Sequence, residues 1–523
     1  MLRIAFFLVA VVVGVALGNS YIGRLPNHAG YFLVAVDDEV RVPLSVRPRH
    51  TVVIVIDGLR RDAAETMAAT QTLEAAGQCR VSDQGPWTVS RPVYALLSTG
   101  LEVARSGARN NDLTAPLAAE SIWQIARASG RYVSGSSHLP WFRELFPDGF
   151  DRFGVSATHD ANVFEGAELR DVDLFHPLYV DEAGHHHGAA SPEYAAAVAR
   201  ADRETMALLS KVDFAQDLVV FTADHGHTAK GGHGGPQPEV KDVLACFAGR
   251  NVARRTDRAP FDGRSTAPAL ALLTGLRFPR HMRAREDHLD ELWEVADFSE
   301  ADRAYAQDRL AAVERFRAAN RAALVRWLGD APGTWSRLYA REGRSQTWRG
   351  AGVAALAVLV LAGRLRRRAH VPATLAWMAL SVAALWLAHR IVLGAFDFGA
   401  INLRENYVPR AFAVTGLGAL VAIVAHFALV RGKVRLAEDF ATLVGLFLFV
   451  NVGHIVVYGW PLGFPLPSGP ASYMPFIGAF VLVVYGITGC FTFVATTGAW
   501  SAVRQGISGH QRSRAGGSSG SKL

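Results

Sequence analysis

Three aspartates, three histidines and one serine stand in five short segments of this 523-residue chain. Asp57 ends "HTVVIVID", Ser90 lies in "WTVSRPVYALLSTG", and Asp181 and His185 share "YVDEAGHHHGAAS". Asp224 and His225 lie in "TADHGH", and His233 follows in "KGGHGG". Carboxylate and imidazole together suit a borderline divalent cation, zinc or manganese. Seven donors exceed what one tetrahedral ion needs, but suit two cations sharing a hydroxyl nucleophile. Such a pair clamps the attacking and leaving oxygens of a phosphoryl transfer. It also lowers the proton affinity of the hydroxyl, so a separate general base is not required. Taken singly, each piece has an ordinary explanation. An Asp after an apolar strand caps a turn, an Asp-His pair is often structural, and a glycine-flanked His often sits in a solvated loop. Their order along one chain carries the reading.

The elements that must position these groups are legible. "HTVVIVIDGLRRD" (His50–Asp62) is a continuous β-branched run ending in Asp-Gly, the pattern of a buried parallel strand opening into a loop. "QDLVVFTADHGH" (Gln216–His227) repeats it, and helical patterns such as "LAAESIWQIARASG" lie between. Alternating strands and helices predict a doubly wound, mostly parallel α/β domain over residues 46–280. Ligands of such sheets collect at the carboxyl ends of the strands, which puts Asp57 and Asp224 on one rim. Residues 281–349 read as a charged, Ala-rich helical connector. Cys79, Cys246 and Cys490 give neither a disulfide framework nor a metal spacing, although Cys79 with Cys246 is geometrically possible.

Half the residues are hydrophobic and 19% are charged, a membrane-protein balance. An apolar run at 4–18 reads as an N-terminal anchor within residues 1–19, with a cleaved signal peptide ending near Ala16 and Gly18 as the alternative. Five apolar blocks at about 350–363, 372–396, 410–430, 437–460 and 473–500 make a five-span domain over 350–500. The first is short and requires Trp348, Arg349 and Arg364 at the interfaces. Basic clusters at Arg364–Arg368, Arg431–Arg435 and Arg504–Lys522 follow alternate spans. By the positive-inside rule these face the cytoplasm, residues 501–523 form a cytoplasmic tail, and residues 19–349 lie outside. The net charge of +7 therefore reports topology and not nucleic-acid binding. Richness in Ala, Arg, Gly and Val suggests a GC-rich bacterial source, with the catalytic domain on the periplasmic side of the inner membrane. A eukaryotic source would put it in the lumen of the endoplasmic reticulum. The terminal Ser-Lys-Leu matches a peroxisomal address by coincidence. The apolar tail also offers a lateral groove for lipid, with Asp397, Glu405, His389 and Arg390 near its outer edge.

"DGLRRD", "TVSRPVYAL", "DEAGHHHG" and "DHGHTAKGGHGG" resemble the metal and nucleophile motifs of the alkaline phosphatase superfamily. The resemblance covers residues 50–250. It lies in the nucleotide pyrophosphatase/phosphodiesterase-like branch, closest to the ethanolamine phosphate transferases of GPI-anchor synthesis, which carry longer membrane tails than the five spans here. It implies that Asp57, Ser90, Asp224 and His225 hold one metal and that Asp181, His185 and His233 hold the other. His186 is then no ligand, and His187 substitutes only if the register differs. It favours Ser90 as nucleophile over Thr88, and likens Asn110 in "SGARNND" to a residue that hydrogen-bonds a phosphate oxygen. A turn would explain Asn110 and Asn111 equally.

The expected activity is transfer of a phospholipid head-group phosphate, phosphoethanolamine, to a glycan or lipid hydroxyl. The same site running on water gives a phosphodiesterase or pyrophosphatase. A catalytically inactive lipid-binding subunit would show decayed ligands, and none is missing. A sulfatase is a poor match, because "TVSRP" lacks the Cys/Ser-x-Pro-x-Arg order. A phosphomonoesterase needs an extra cation, for which Arg60, Arg61 and Arg91 are the candidates.

Overall fold

A computed structural model describes residues 2–23, 44–113, 115–279, 290–302, 304–305, 334–366, 371–394, 396, 398–401, 404–430, 433–458 and 470–515. Arg280, most of the connector (281–289, 303 and 306–333), Arg367, Arg368, Asp397, Arg431 and the terminal Ser-Lys-Leu lie outside the described residues.

One eight-stranded sheet organises the first half of the chain, in the order β4-β3-β5-β1-β6-β7-β2-β8. The strands are β1 (Thr51–Val55), β2 (Gly77–Asp83), β3 (Val133–Ser137), β4 (Arg152–Val155), β5 (Val172–His176), β6 (Leu218–Thr222), β7 (Asp242–Gly249) and β8 (Pro260–Asp262). Only the pairings of β7 with β6 and with β2 are antiparallel. The fold is the mixed α/β core, mostly parallel, that the strand-helix alternation predicts.

The unbroken apolar runs have a simple cause, since both faces of the sheet are covered. Along β1, Val53 and Val55 enter one core layer while Val52 and Ile54 enter the other, and none exceeds 2% exposure. Alternate side chains of a strand point to opposite faces, so a strand buried twice must be apolar at every position. Each such side chain contributes about 1.5–3 kcal/mol by leaving water. β1 sits between β5 and β6, parallel to both, with Ile54 in register with Phe175 on one side and Phe221 on the other. The loops after β5, β1 and β6 therefore emerge side by side. Reversal at β7 makes β2 run with β6, so the segment after β2 that carries Ser90 emerges on the same edge.

Cys79 and Cys246 face each other across β2 and β7 and form a buried disulfide. A disulfide fits an oxidising compartment.

Among the described residues, five helices are long and apolar enough to cross a bilayer: Gly343–Leu365, Val371–Val392, Glu405–Leu429, Leu436–Tyr458 and Tyr473–Thr496. The chain is a multi-pass membrane protein. The first span starts ahead of the apolar block at 350, because its helix begins at Thr334 and supplies the missing length. Arg349 donates to the Val457 carbonyl at 3.0 Å near the end of a neighbouring helix, and Trp348 is exposed. The last helix continues from Pro470 to Ala515, through much of the expected tail. The N-terminal helix Leu2–Gly23 carries a shorter apolar stretch, Ile4–Ser20. It packs against the last span. A Cβ at Gly14 would lie 2.9 Å from the Ala479 carbonyl oxygen, and one at Gly489 would meet the Phe7 ring.

The α/β unit does not stand apart from these helices. Trp87 and Val103 are buried in the same apolar cluster as Leu17, Tyr407 and Tyr473. Gly232, at φ +93°, would place a Cβ 2.9 Å from the carbonyl oxygens of Gly399 and Ile401 in the connection between two spans.

Candidate metal centre

At the carboxyl edge of the sheet, Asp57, Asp224 and His225 converge, all at 0% exposure. His225 Nε2 lies 3.1 Å from Asp224 Oδ2 and 3.5 Å from Asp57 Oδ1. The Gly58 and His225 amides both donate to Asp224 Oδ1, at 3.1 and 2.9 Å. Tyr94 Oη and His176 Nε2 (3.1 Å) hold Asp57 Oδ2. That leaves Asp57 Oδ1 and Asp224 Oδ2 buried without a hydrogen-bond partner. Two buried carboxylate oxygens without donors are costly unless a cation sits between them. His225 completes the fit. Its Nδ1 lies 3.2 Å from the Gly226 carbonyl and donates to it, so Nε2 presents a lone pair toward both oxygens.

A second group joins Asp181, His185 and His233. Asp181 and His185 are four residues apart on the helix Tyr179–His187, which puts both on one face. The segment is helical through His187. Its helical form is what aims residue 185 inward and leaves His186 and His187 exposed. His185 Nε2 lies 3.4 Å from Asp181 Oδ2 and 3.1 Å from His233 Nε2. His233 Nδ1 donates to the Thr88 carbonyl at 2.8 Å, so its Nε2 also carries a free lone pair. Two imidazole nitrogens this close, each facing a carboxylate, form a donor set for a cation. The two groups touch, with the His225 and His233 rings stacked 3.7 Å apart.

Two glycines make this crowding possible. A Cβ on Gly58 (φ +72°) would fall 2.6 Å from Asp181 Cα, and one on Gly184 would fall 2.4 Å from the His227 ring.

Ser90 is the first residue of the helix Ser90–Thr99, and its hydroxyl lies 3.2 Å from His225 Nε2. Thr88 differs. Its hydroxyl donates to the Gly235 carbonyl (2.8 Å) and accepts from the Gly234 amide (3.0 Å), which commits it to holding the His233 loop. Asn110 turns both side-chain atoms toward Asp112, at 3.2 and 3.1 Å, while Asn111 accepts the Arg91 amide. The candidate phosphate cations are all ion-paired: Arg60 with Asp62, Arg61 with Glu65, and Arg91 with Glu144.

Sequence reasoning missed three residues. His227 is fully buried, with Nε2 2.7 Å from Asp181 Oδ1. Its Nδ1 accepts the Gly232 amide at 3.1 Å, so Nε2 carries the proton and donates to Asp181. This tautomer is the opposite of the one in His225 and His233. It makes His227 a group that orients Asp181 rather than a ligand. His176 and Tyr94 do the same for Asp57. His176 ends β5, the strand beside β1, which was the available signal. His227 stood inside "DHGHTAKGGHGG", and Tyr94 carried no signal at all.

Burial sets the protonation of the cluster. It pushes the Asp224 carboxyl well above the usual range, reinforced by the charges of Asp57 and Asp181. It holds His225 and His227 well below the usual imidazole value, and His233 down to about 4. Tyr94 is raised, first by burial and then by Asp57 and Asp224, so it stays a donor. His225, His227 and His233 are thus neutral at physiological pH, the form a ligand must take. The clustered Asp and His side chains give the protein a divalent-metal-binding capability.

The chain matches no family model. Over 222 residues it is 28% identical to the GPI ethanolamine phosphate transferase 3 catalytic subunit of Mus musculus, covering 39% of this chain and 20% of that protein. The Homo sapiens counterpart is 27% identical over 216 residues, covering 38% and 20%. The matched stretch thus spans about a fifth of the length of these relatives. Among solved structures, murine ectonucleotide pyrophosphatase/phosphodiesterase 5 aligns with a TM-score of 0.38 at 12% identity, covering 46% of this chain and 99% of that one. Wild-type alkaline phosphatase PafA aligns at 0.39 and 11% identity, covering 48% and 99%.

Proposed function

We propose that this protein is a membrane-bound, metal-dependent phosphotransferase. It moves a phospholipid head-group phosphate, phosphoethanolamine, to the hydroxyl of a glycan or lipid through a covalent intermediate on Ser90. One observation carries the reading. The Ser90 hydroxyl faces the buried Asp57–Asp224–His225 cluster, while its neighbours Trp87 and Val89 pack into the apolar core of the membrane helices. A nucleophile so held meets substrates that arrive along the bilayer. The sequence similarity to ethanolamine phosphate transferases agrees with this substrate class.

Asp57, Ser90, Asp224 and His225 would hold one divalent cation, and Asp181, His185 and His233 a second, zinc or manganese by donor chemistry. Bound there, the cations would neutralise the phosphate charge and lower the proton affinity of the serine hydroxyl. The chain's own residues do the rest. Ser90 starts a helix, so the dipole of that helix favours the phosphate at its hydroxyl. The Ser90 hydroxyl lies 3.2 Å from His225 Nε2, so both donor atoms would face the same cation. Oγ forms a bond to phosphorus as the bond to the diacylglycerol oxygen breaks, and diacylglycerol leaves with a proton as an alcohol. The acceptor hydroxyl then bonds to phosphorus, the Oγ–P bond breaks, and Ser90 regains its proton. His227, His176 and Tyr94 keep Asp181 and Asp57 aimed throughout. With Arg60, Arg61 and Arg91 spent on carboxylates, no cation from that set is left for a monoester dianion, and a diester fits better.

The test is an acid-quenched intact mass after brief incubation of the zinc-loaded protein with phosphatidylethanolamine. A phosphoethanolamine adduct is expected, absent in Ser90→Ala and in a chelated sample. Steady metal-dependent release of phosphoethanolamine into water without an acceptor would make the enzyme a phosphodiesterase. Bound metal with neither adduct nor release would exclude this donor.

A further inference from the structure

The membrane helices carry a groove of about 510 Å³ at the end nearest the α/β unit. Its walls come from three places: Val15 and Gly18 on the N-terminal helix, Val408 and Phe412 on the span Glu405–Leu429, and Val483 on the last span. Gly14 lets the N-terminal helix close against Ala479, and Gly18 leaves the opening beside it, with 3.7 Å to the nearest atom from a Cβ built there. Val15 is 52% exposed and Phe412 40%, so the groove opens sideways from the bundle. Phe480 backs it, edge-on to Phe412 at 5.0 Å.

A single carboxylate, Glu405, stands among these apolar walls. Among the described residues it has no ion-pair or hydrogen-bond partner, and it is exposed. Among the described residues, the same groove holds Asn19 and no lysine or arginine. Four residues before Glu405, Ile401 touches the glycine that precedes His233. Four residues span at most about 14 Å of chain, so the lip of the groove lies close under the metal cluster.

We propose that this groove seats an acyl chain of a phospholipid with a primary-amine head group, with Glu405 facing the ammonium. The proposal rests on the function proposed above and names how that site selects its donor. A groove inside a bilayer gains little by burying a chain, since the lipid tails outside are as apolar as its walls. Discrimination among lipids must therefore come from the polar lip. A carboxylate held at an apolar edge favours a cation and repels an anionic head group. Volume agrees, since sites for small molecules occupy roughly 300–1,000 Å³. A second apolar cleft of about 350 Å³, lined by Phe6, Leu361 and Phe449, carries Arg364 instead of a carboxylate and serves as an internal control.

The test uses full-length Ser90→Ala protein, which binds without turnover, in phosphatidylcholine nanodiscs. Each preparation contains phosphatidylethanolamine or phosphatidylglycerol bearing the same photo-crosslinking acyl chain, and labelled peptides are mapped by mass spectrometry. Labelling around Val15, Phe412 and Val483 is expected to favour phosphatidylethanolamine roughly two- to fivefold, the range of an exposed ion pair. Glu405→Lys should reverse that preference without changing labelling at the Arg364 cleft, and Gly18→Leu should reduce labelling by both lipids. Equal labelling by the two lipids, or a preference untouched by Glu405→Lys, overturns the proposal. Because Glu405 is exposed, its variants test charge without disturbing packing. Turnover by the Ser90 protein separates the two readings. Turnover of phosphatidylethanolamine without groove selectivity sinks the groove alone. Groove selectivity without turnover sinks the transferase reading and leaves an amine-lipid site.

Discussion

The two halves of the metal cluster are built by different means. Asp57, Asp224 and His225 hang from adjacent parallel strands, and all are inaccessible to water. Asp181, His185 and His233 come from a helix face and a glycine-rich loop, and their side chains keep 10%, 16% and 9% exposure. The first half inherits its geometry from sheet register, which a buried two-sided strand cannot slip without exposing its core. The second depends on contacts that cross elements: His227 on Asp181, Thr88 on His233, and the Gly184 gap between helix and ring. A register-built site is rigid and tolerates few changes. A contact-built site can be loosened by degrees.

Substitutions should expose that difference. The largest effect belongs to Asp224→Ala, which removes a donor from the strand-built half. Turnover should fall about 10³-fold, the equivalent of the ~4 kcal/mol a cation supplies to a phosphoryl transfer. Initial rates with metal in excess check it, and retention of more than a tenth of the rate would contradict the assignment. His185→Ala should remove one metal equivalent and leave the other, read by elemental analysis of the purified protein. Loss of both equivalents would mean that the halves are not separable. His227→Ala should weaken metal binding about 10- to 100-fold, as loss of an orienting partner does, while full stoichiometry returns at saturating metal. If one equivalent never returns, His227 is a ligand and the tautomer argument fails. His186→Ala and His187→Ala, one and two residues from His185, should change neither rate nor stoichiometry.

The pH dependence follows from the directions of the shifts. Folded His225, His227 and His233 bind protons more weakly than the unfolded chain, whose imidazoles titrate near 6.5. Their contribution to stability is present above that value and is lost as pH falls toward about 4 for His233. Asp224 has the opposite sign. Its raised carboxyl favours the fold at low pH, and that contribution fades as pH rises above the usual carboxylate value. A cation must displace the proton that burial holds on Asp224, which becomes harder as pH falls. Added zinc should therefore raise Tm most near pH 7.5 and progressively less toward pH 5, measured by thermal shift of the detergent-solubilised protein. Equal protection at both pH values would show that the ion binds elsewhere.

Much of this was legible beforehand. β1 and β6 could be read because double burial demands unbroken apolar runs, and the loops after them because Asp-Gly and Asp-His-Gly end those runs. Four of the five apolar blocks lie within a few residues of the long apolar helices. Hydropathy shortened the first, because Thr334–Gly350 is polar enough to mask a continuing helix. The orienting residues were hidden, because nothing in composition tells a histidine that donates to a carboxylate from one that offers a lone pair. Only the partner of the other ring nitrogen decides that, and for His227 the partner is a backbone amide five residues away.

Residue order alone says which chemistry is available and roughly where it emerges. Residue types fix the donor atoms, and strand periodicity fixes the edge from which they leave. Tertiary structure decided what each donor does. It consumed the Thr88 hydroxyl, left the Ser90 hydroxyl facing His225, turned His185 inward and His186 outward, and laid the Trp87–Val89 segment on the membrane helices. The reason is physical. Local patterns act through neighbours in the chain, whereas the partners of Thr88 and Ser90 lie 147 and 135 positions away.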